Sequence, residues 1–180
     1  MTDVNAKAGE RPEAAAKTNG KAPRMAALPG GDRREIRFIE LLFFAYRDFI
    51  SDPDAALIAY GFGRAHHRVI HFVNRHPGIR VADLLDILKI TKQSLGRVLK
   101  QLLDLGFIEQ RPGEQDRRQR LLYPTDAGRA LAVRLLDPQM ERVGRALAAL
   151  SPAEFAGAEE FLRLIVDAGE RDKVARLIRR

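Results

Sequence analysis

Two short segments of the chain concentrate side chains that carry positive charge or donate hydrogen bonds. The first contains Thr91, Lys92, Gln93, Ser94, Arg97 and Lys100, and the second contains Arg117, Arg118 and Arg120, preceded by the carboxylate of Asp116. Lysine and arginine bind phosphate oxygens, whereas glutamine and arginine also match the hydrogen-bonding edges of adenine and guanine. Residues 91–120 hold seven Lys and Arg against four Asp and Glu, in a chain of net charge +7. This pattern favours binding to a polyanion.

The first segment begins an amphipathic helix. Thr91 is a good N-cap, because its side-chain oxygen can accept a hydrogen bond from the first turn. The predicted buried face comprises Leu95, Val98, Leu99, Leu102 and Leu103. A shorter helix lies only three or four residues upstream, with Val81, Leu84, Leu85 and Leu88 predicted to point inward. The pair indicates a helix-turn-helix.

The second segment lies at the end of a predicted β-hairpin. Residues 107–111 and 118–123 have the composition of short strands, separated by a turn around 112–115. Pro124 closes the second strand and Thr125 can cap a fifth helix. A hairpin behind a helix-turn-helix is the arrangement of a wing, which carries cations to phosphates and to the minor groove. The predicted fold class is mainly α with a small β-wing.

The remaining sequence predicts further helices. Apolar spacing from Arg34 indicates a first helix that Ser51, Asp52 and Pro53 should end, followed by a second helix up to Pro77. Pro138 predicts a kink or a restart of the fifth helix at 137. A capping box at 151–154 begins a sixth helix, which residues 171–180 are expected to extend.

Together these features resemble the MarR family of bacterial transcription regulators. The resemblance lies in six helices with a wing between the fourth and fifth, in residues 90–111, and in the run Asp116, Arg117 and Arg118 through Thr125 and Gly128. It covers about residues 34–168, and residues 43–128 resemble the PetP-type subgroup. None of the groups that would bind DNA is missing.

The resemblance implies a role for each polar residue. The fourth helix would enter the major groove, with Gln93 facing adenine, Arg97 facing guanine edges, and Ser94 at a base or a phosphate. Thr91, Lys92 and Lys100 would contact phosphates. Arg118 is expected to approach the minor groove and Asp116 to orient it, with Arg117 and Arg120 on phosphates. The alternative for Asp116 and Arg118 is an ordinary surface ion pair.

The resemblance also implies a homodimer, because one winged helix contacts too few base pairs to be selective. Residues 33–55 and 125–180 are then the helical dimerisation region, 56–124 the DNA-binding domain, and 1–32 a flexible tail. The predicted function is sequence-specific regulation, with repression favoured, through a palindromic operator in double-stranded DNA. A small-molecule effector is a further implied partner.

All four histidines, His66, His67, His71 and His76, fall within eleven residues. His67 and His71 are four apart and share a helix face, which suits two imidazole ligands or a pH-sensitive pair. Structural roles are favoured, and ligand binding by His67 and His71 is the alternative. A metal- or haem-responsive sensor using His66–His76 is a second possible function, but no third ligand is identifiable, so no metal or cofactor is predicted.

Other classes of protein fit less well. The sequence has no glycine-rich phosphate loop, nucleophile elbow or zinc-protease spacing, so an enzyme is not expected. No apolar run approaches the length of a membrane span, and the chain has no cysteine, so we expect a cytoplasmic protein without membrane contact. A non-specific architectural DNA-binding protein is the remaining alternative.

Overall fold

The computed structural model describes residues 33–114 and 116–179, so the predicted N-terminal tail lies outside the described residues. The helices are α1 (Arg34–Ile58), α2 (Arg64–Arg75), α3 (Val81–Leu88), α4 (Lys92–Asp104), α5 (Asp126–Ala148), α6 (Pro152–Ile165) and α7 (Arg171–Ile178). The strands are β1 (Ile79–Arg80), β2 (Ile108–Pro112) and β3 (Arg120–Pro124). The chain divides into two units, Met1–Ile39 and Glu40–Arg180, and every candidate functional residue belongs to the second. The predicted fold class is confirmed.

The three strands form one small antiparallel sheet with β3 in the centre. Pairing of Ile108 with Pro124 and of Pro112 with Arg120 closes the predicted hairpin. Its second strand begins two residues later than predicted, so Arg118 lies in the turn and not in a strand. The two-residue strand β1, which pairs Ile79 with Leu122, was not predicted because it is too short to show an alternating pattern.

The core lies where the helix-turn-helix meets the sheet and the start of α5. Its fully buried leucines are Leu57, Leu84, Leu95, Leu102, Leu122 and Leu135. Each contributes about 1.5–3 kcal/mol by removing its side chain from water. Because Leu95, Val98, Leu99 and Leu102 of α4 are buried as predicted, the opposite face of that helix is held toward solvent.

The predicted end of the first helix at Pro53 was wrong. Helix α1 continues to Ile58, and Pro53 is buried inside it. Proline has no N–H to donate to the carbonyl four residues earlier, which is that of Phe49. The buried Gln139 of α5 supplies the missing donor, since its Nε2 lies 3.2 Å from the Phe49 oxygen. The helix instead ends before Gly61, which adopts a left-handed conformation with φ of 65°.

We expect Gln139→Leu to lower the free energy of unfolding by about 1–2 kcal/mol, because the Phe49 carbonyl would lose its donor. Pro53→Ala restores a backbone N–H near that carbonyl. The loss of unfolding free energy caused by Gln139→Leu should therefore be smaller in the Pro53→Ala background. Urea denaturation of the wild type, both single variants and the double variant measures this difference. Equal costs in both backgrounds would show that Gln139 does not replace the proline's missing donor.

Two other helix boundaries in the structure differ from those predicted from the sequence. Helix α5 runs without a restart from Asp126 to Ala148, with Pro138 inside it. Residues beyond α6 do not extend it, because Val166 is in an extended conformation and is followed by a 3-10 turn at Ala168–Glu170 and then by α7. Across the described ranges, no helix has the length and apolar character that a membrane crossing requires.

Candidate nucleic-acid interface

The start of α4 is fixed by a local cap. The Thr91 hydroxyl oxygen accepts a hydrogen bond from the backbone N–H of Ser94 at 3.1 Å and donates to Ser94 Oγ at 2.9 Å. This cap confirms the predicted first residue of the helix. The other N–H groups of the first turn remain available to a bound anion, at the positive end of the helix dipole.

The exposed face of α4 presents cations of two kinds. Lys100 pairs with Asp104, with 2.5 Å between Nζ and Oδ2. In the described part of the chain, Lys92 and Arg97 have no side-chain ion pair or hydrogen bond. A solvated cation without a protein partner can pair with a phosphate without first breaking a contact. Lys92 and Arg97 therefore meet the electrostatic requirement for the predicted contacts, and the neutral side chain of Gln93 is exposed on the same helix.

The tip of the wing is shaped by Asp116. Its Oδ1 accepts a hydrogen bond from the backbone N–H of Arg118 at 2.9 Å, which is the pattern of an Asx turn. Within the described wing residues, the carboxylate makes no ion pair with the Arg118 guanidinium. Asp116 therefore acts on the backbone that carries Arg118. This geometry differs from the surface ion pair considered above and leaves the guanidinium free.

The turn and the first residue of β3 expose further arginines. Arg117, Arg118 and Arg120 are all exposed and have no side-chain partner among the residues described. Arg111 differs, because its guanidinium pairs with Glu109 and lies 4.6 Å from the centre of the Tyr123 ring. Arg111 thus belongs to the framework of the wing, while Arg117, Arg118 and Arg120 are available for an external anion.

Helix α4 and the wing border a common groove of about 630 Å³. Gly96 and Lys100 line it from α4, and Arg118, Gln119 and Arg120 line it from the wing. Lys100 of the first predicted segment and Arg118 and Arg120 of the second therefore border the same opening, although 18 positions separate Lys100 from Arg118 in sequence. The other predicted residues do not line it, namely Thr91, Lys92, Gln93, Ser94, Arg97, Asp116 and Arg117.

Sequence reasoning missed one cation of this groove. Arg80, at the start of α3, lines the groove and pairs with Asp83 through two bonds of 2.8 and 2.6 Å. This pair raises the pKa of Arg80 and lowers the pKa of Asp83, mainly by the side-chain hydrogen bond. The sequence pattern placed Arg80 on the outward face of the third helix, which predicts exposure but not a position beside the wing.

The junction between the wing and α5 is tied by Thr125 and Gly128. Thr125 Oγ1 accepts from the Gly128 N–H at 3.1 Å and donates to the Gly106 carbonyl at 2.6 Å. The Thr125 N–H donates to the Phe107 carbonyl at 3.2 Å. Gly128 packs so closely that a Cβ there would lie 1.9 Å from the same Phe107 oxygen. The two residues that carried part of the family resemblance thus join the end of α4, the base of the wing and α5.

Comparison with known proteins agrees with this architecture. The model of the MarR family matches residues 60–119. The HTH-type transcriptional regulator PetP of Rhodobacter capsulatus is 43% identical over 150 residues, which cover 79% of this chain and 90% of that protein. The chain belongs to the MarR family. It is accordingly a helix-turn-helix transcriptional regulator and not an enzyme, as predicted.

Solved structures with this fold include complexes with DNA. Streptococcus pneumoniae FabT in complex with DNA superimposes with a TM-score of 0.63 at 21% identity, covering 71% of this chain and 92% of that one. A putative MarR family regulator from Listeria monocytogenes, complexed with a 26mer DNA, superimposes with a TM-score of 0.61 at 22% identity. The match covers 77% of this chain and 89% of that one. At identities this low, the structural similarity establishes only that this MarR-family chain has the winged-helix fold.

The four histidines of this MarR-family protein do not form one cluster. His66 is buried, and its Nδ1 accepts from the Gly63 N–H at 3.1 Å while its Nε2 lies 2.6 Å from Gln101 Oε1 on α4. Its ring stacks on Phe62 with the ring centres 4.5 Å apart. The ring of His76 stacks on Phe72. No group of three or more His, Asp or Glu side chains in the described ranges could hold a metal ion.

His67 and His71, which the spacing placed on one helix face, both line one cavity. It measures about 370 Å³ and lies among α1, α2 and α5. Its lining residues are Tyr46, Phe49, Ile50, Arg64, His67, Arg68, His71, Phe72 and Gln139. Burial lowers the pKa of His67 below 6.5, opposed by the nearby charge of Asp54. Burial also lowers the pKa of His71, with additional repulsion from His67, Arg75 and His76.

These lowered pKa values predict a pH-dependent stability. Above about pH 7 both histidines are neutral in the folded and unfolded states, so they contribute nothing. As the pH falls through 6.5, the unfolded chain binds protons that the folded chain resists, and stability is lost. We expect the Tm to fall more between about pH 7.5 and pH 5.5 in the wild type than in a His67→Gln/His71→Gln variant. Parallel pH profiles in calorimetry would contradict this assignment.

Proposed function

We propose that the chain is a bacterial repressor that binds a palindromic operator in double-stranded DNA as a homodimer. The observation that carries this proposal is the groove between α4, the proposed reading helix, and the wing, where Lys100 of the helix and the unpaired Arg118 and Arg120 of the wing border one opening. An α-helix fills the major groove of B-form DNA, while a wing reaches the adjacent backbone and minor groove. A dimer bound at a promoter would exclude the polymerase.

The DNA contacts follow from the chemistry of each residue. Gln93 and Arg97 would read base edges, with Ser94 at a base or phosphate. Thr91, Lys92 and Lys100 would bind phosphates, and Lys100 would exchange Asp104 for that contact. In the wing, Arg118 would enter the minor groove, held by the Asp116 turn, while Arg117 and Arg120 bind phosphates.

Apolar side chains exposed on the helices outside the winged domain support the homodimer. Helix α6 has no buried residue along its 14 positions, although it contains Phe155, Phe161, Leu162 and Ile165. Phe43 and Phe44 of α1 are 70% and 56% exposed, and α5 exposes Met140, Val143 and Leu147. Apolar surface of this extent marks an interface. Residues 33–55 and 125–180 are thus proposed to dimerise, with 56–124 as the DNA-binding domain.

The cavity that contains His67 and His71 is the proposed site of a small-molecule effector. It lies among α1, α2 and α5, between the proposed dimerisation helices and the DNA-binding domain. A ligand there would act by binding more tightly to dimers in which the two DNA-binding domains have one separation than to dimers in which they have another. We also propose that the protein works in the cytoplasm, where its DNA would be found.

The test is selection of bound duplexes from a random-sequence pool, followed by titration of the selected duplex with excess random DNA as competitor. We expect an inverted repeat with half-sites about 34–36 Å apart, bound despite the competitor. Sedimentation of the free protein should give a dimer. Loss of binding in the competitor would indicate the architectural alternative, and a monomer would reject the dimer.

A further inference from the structure

The C-terminal helix α7 is fastened to the end of α6 by Arg171. Its guanidinium donates to the carbonyl oxygens of Val166 at 2.9 Å and of Leu164 at 2.6 Å. Carbonyls at the end of a helix lack partners within that helix, so a side chain that binds them fixes the direction of the following segment. The position of α7 is therefore determined by α6.

From this position, the C-terminal segment forms a closed ring of four charges with α3. Lys89 Nζ lies 2.9 Å from Asp86 Oδ1 and 3.3 Å from Glu170 Oε1. Lys173 Nζ lies 3.4 Å from Glu170 Oε2 and also pairs with Asp86. Each carboxylate thus binds both ammonium groups. The hydrogen bonds from Lys173 and Lys89 lower the pKa of Asp86 to about 2.

The ring holds the turn of the helix-turn-helix. Asp86 lies in the last turn of α3, and Lys89 is one of three residues between α3 and α4. Lys89 is the only non-glycine residue in the described ranges with a positive φ, at 51°. A left-handed residue at this place is usually Gly or Asn. Here the lysine directs its ammonium to Glu170, a contact that neither of those residues could make.

We infer that α7 is a positioning element for DNA binding, which sets the place of the reading helix through the ring of Asp86, Lys89, Glu170 and Lys173. The ring connects the 3-10 turn and α7 to the end of α3 and to Lys89 before α4, and none of its members lines the groove between α4 and the wing. This inference rests on the proposed function, because a fixed place for each reading helix gives a dimer a fixed half-site spacing. Exposed ion pairs are individually weak and salt-sensitive, but the four groups here share the cost of ordering.

The test compares Lys173→Met with Arg176→Met. Both remove one positive charge from α7, and Arg176 makes no ion pair in the described chain, so both should lose the same long-range attraction to DNA. Fluorescence anisotropy would use the selected duplex and two duplexes with spacers one base pair shorter and longer. We expect Lys173→Met to bind the selected duplex about two- to fivefold more weakly than Arg176→Met and to discriminate less among spacings. Lys173→Arg should restore both properties. Identical behaviour of the two Met variants would overturn the inference.

A measurement without DNA separates this inference from the proposed function. Hydrogen exchange at the amides of residues 89–95 should be faster in Lys173→Met than in Arg176→Met at equal Tm. Unchanged exchange would overturn the positioning role, whatever the DNA result. Faster exchange in a protein whose wild type selects no duplex would instead reject the proposed function while retaining the ring as the element that orders the turn. If Lys173→Met folds poorly, Glu170→Gln replaces it as the test. This variant removes the carboxylate that pairs with Lys89 and Lys173 and should likewise speed exchange at residues 89–95.

Discussion

Arg118→Ala is expected to weaken binding to the selected palindromic duplex by about 10- to 100-fold, while the Tm stays within about one degree of wild type. The guanidinium is exposed, has no side-chain partner in the described wing, and lines the same groove as Lys100 of the reading helix. Its removal would therefore cost the complex a cation in the minor groove without removing a contact from the free protein.

Fluorescence anisotropy at several salt concentrations measures this effect, with Arg176→Ala as the control for loss of one positive charge. The control should lose affinity only slightly. The DNA affinity of Asp116→Ala should lie between those of Arg118→Ala and Arg176→Ala. This variant removes the acceptor that orders the backbone N–H of Arg118 but leaves the guanidinium in place. If Arg118→Ala and Arg176→Ala bind equally well, the wing arginine has no special role in binding.

Gly128→Ala is expected to lower the free energy of unfolding by about 2–4 kcal/mol. Alanine normally stabilises a helix relative to glycine by about 1 kcal/mol. At this position, the added Cβ would lie 1.9 Å from the Phe107 carbonyl oxygen and 3.0 Å from its carbon, both in backbone that cannot rotate away. The first turn of α5 would have to move from the base of the wing.

Gly144→Ala in the same helix is the matched control, because nothing lies within 4 Å of the position its Cβ would take. Urea denaturation should show the usual gain of up to about 1 kcal/mol at Gly144 and a loss at Gly128. Changes of the same sign at both positions would mean that the contact with Phe107 relaxes easily and does not restrict residue 128.

Sequence reasoning succeeded where structure is determined by near neighbours. The caps at Thr91, Thr125 and Ser151 are confirmed, since each depends on a hydrogen bond to a residue three positions away. The buried face of α4 follows from its apolar spacing alone. The exposure of the two cationic segments likewise follows from the polarity of their side chains.

Sequence reasoning failed where a residue's structure depends on a contact with a residue distant in sequence. Pro53 remains inside a helix because Gln139, 86 positions later, binds the carbonyl that the proline leaves free. The histidines divide in a similar way, because Gln101 and Phe62 hold His66 away from the cavity that His67 and His71 share. No local pattern in the second helix distinguishes these three residues.

The seam formed by Gly106, Phe107, Thr125 and Gly128 determines where a hybrid regulator can be spliced. The hydroxyl and N–H of Thr125 bind Gly106 and Phe107, and Gly128 packs on Phe107 without room for a side chain. A graft that ended at Pro124 would separate residues that fit one another and combine an imported wing base with an unrelated helix start. Crossovers placed after Gly128 keep the seam intact, so the donor's DNA specificity should transfer as one cassette that includes the first residues of α5.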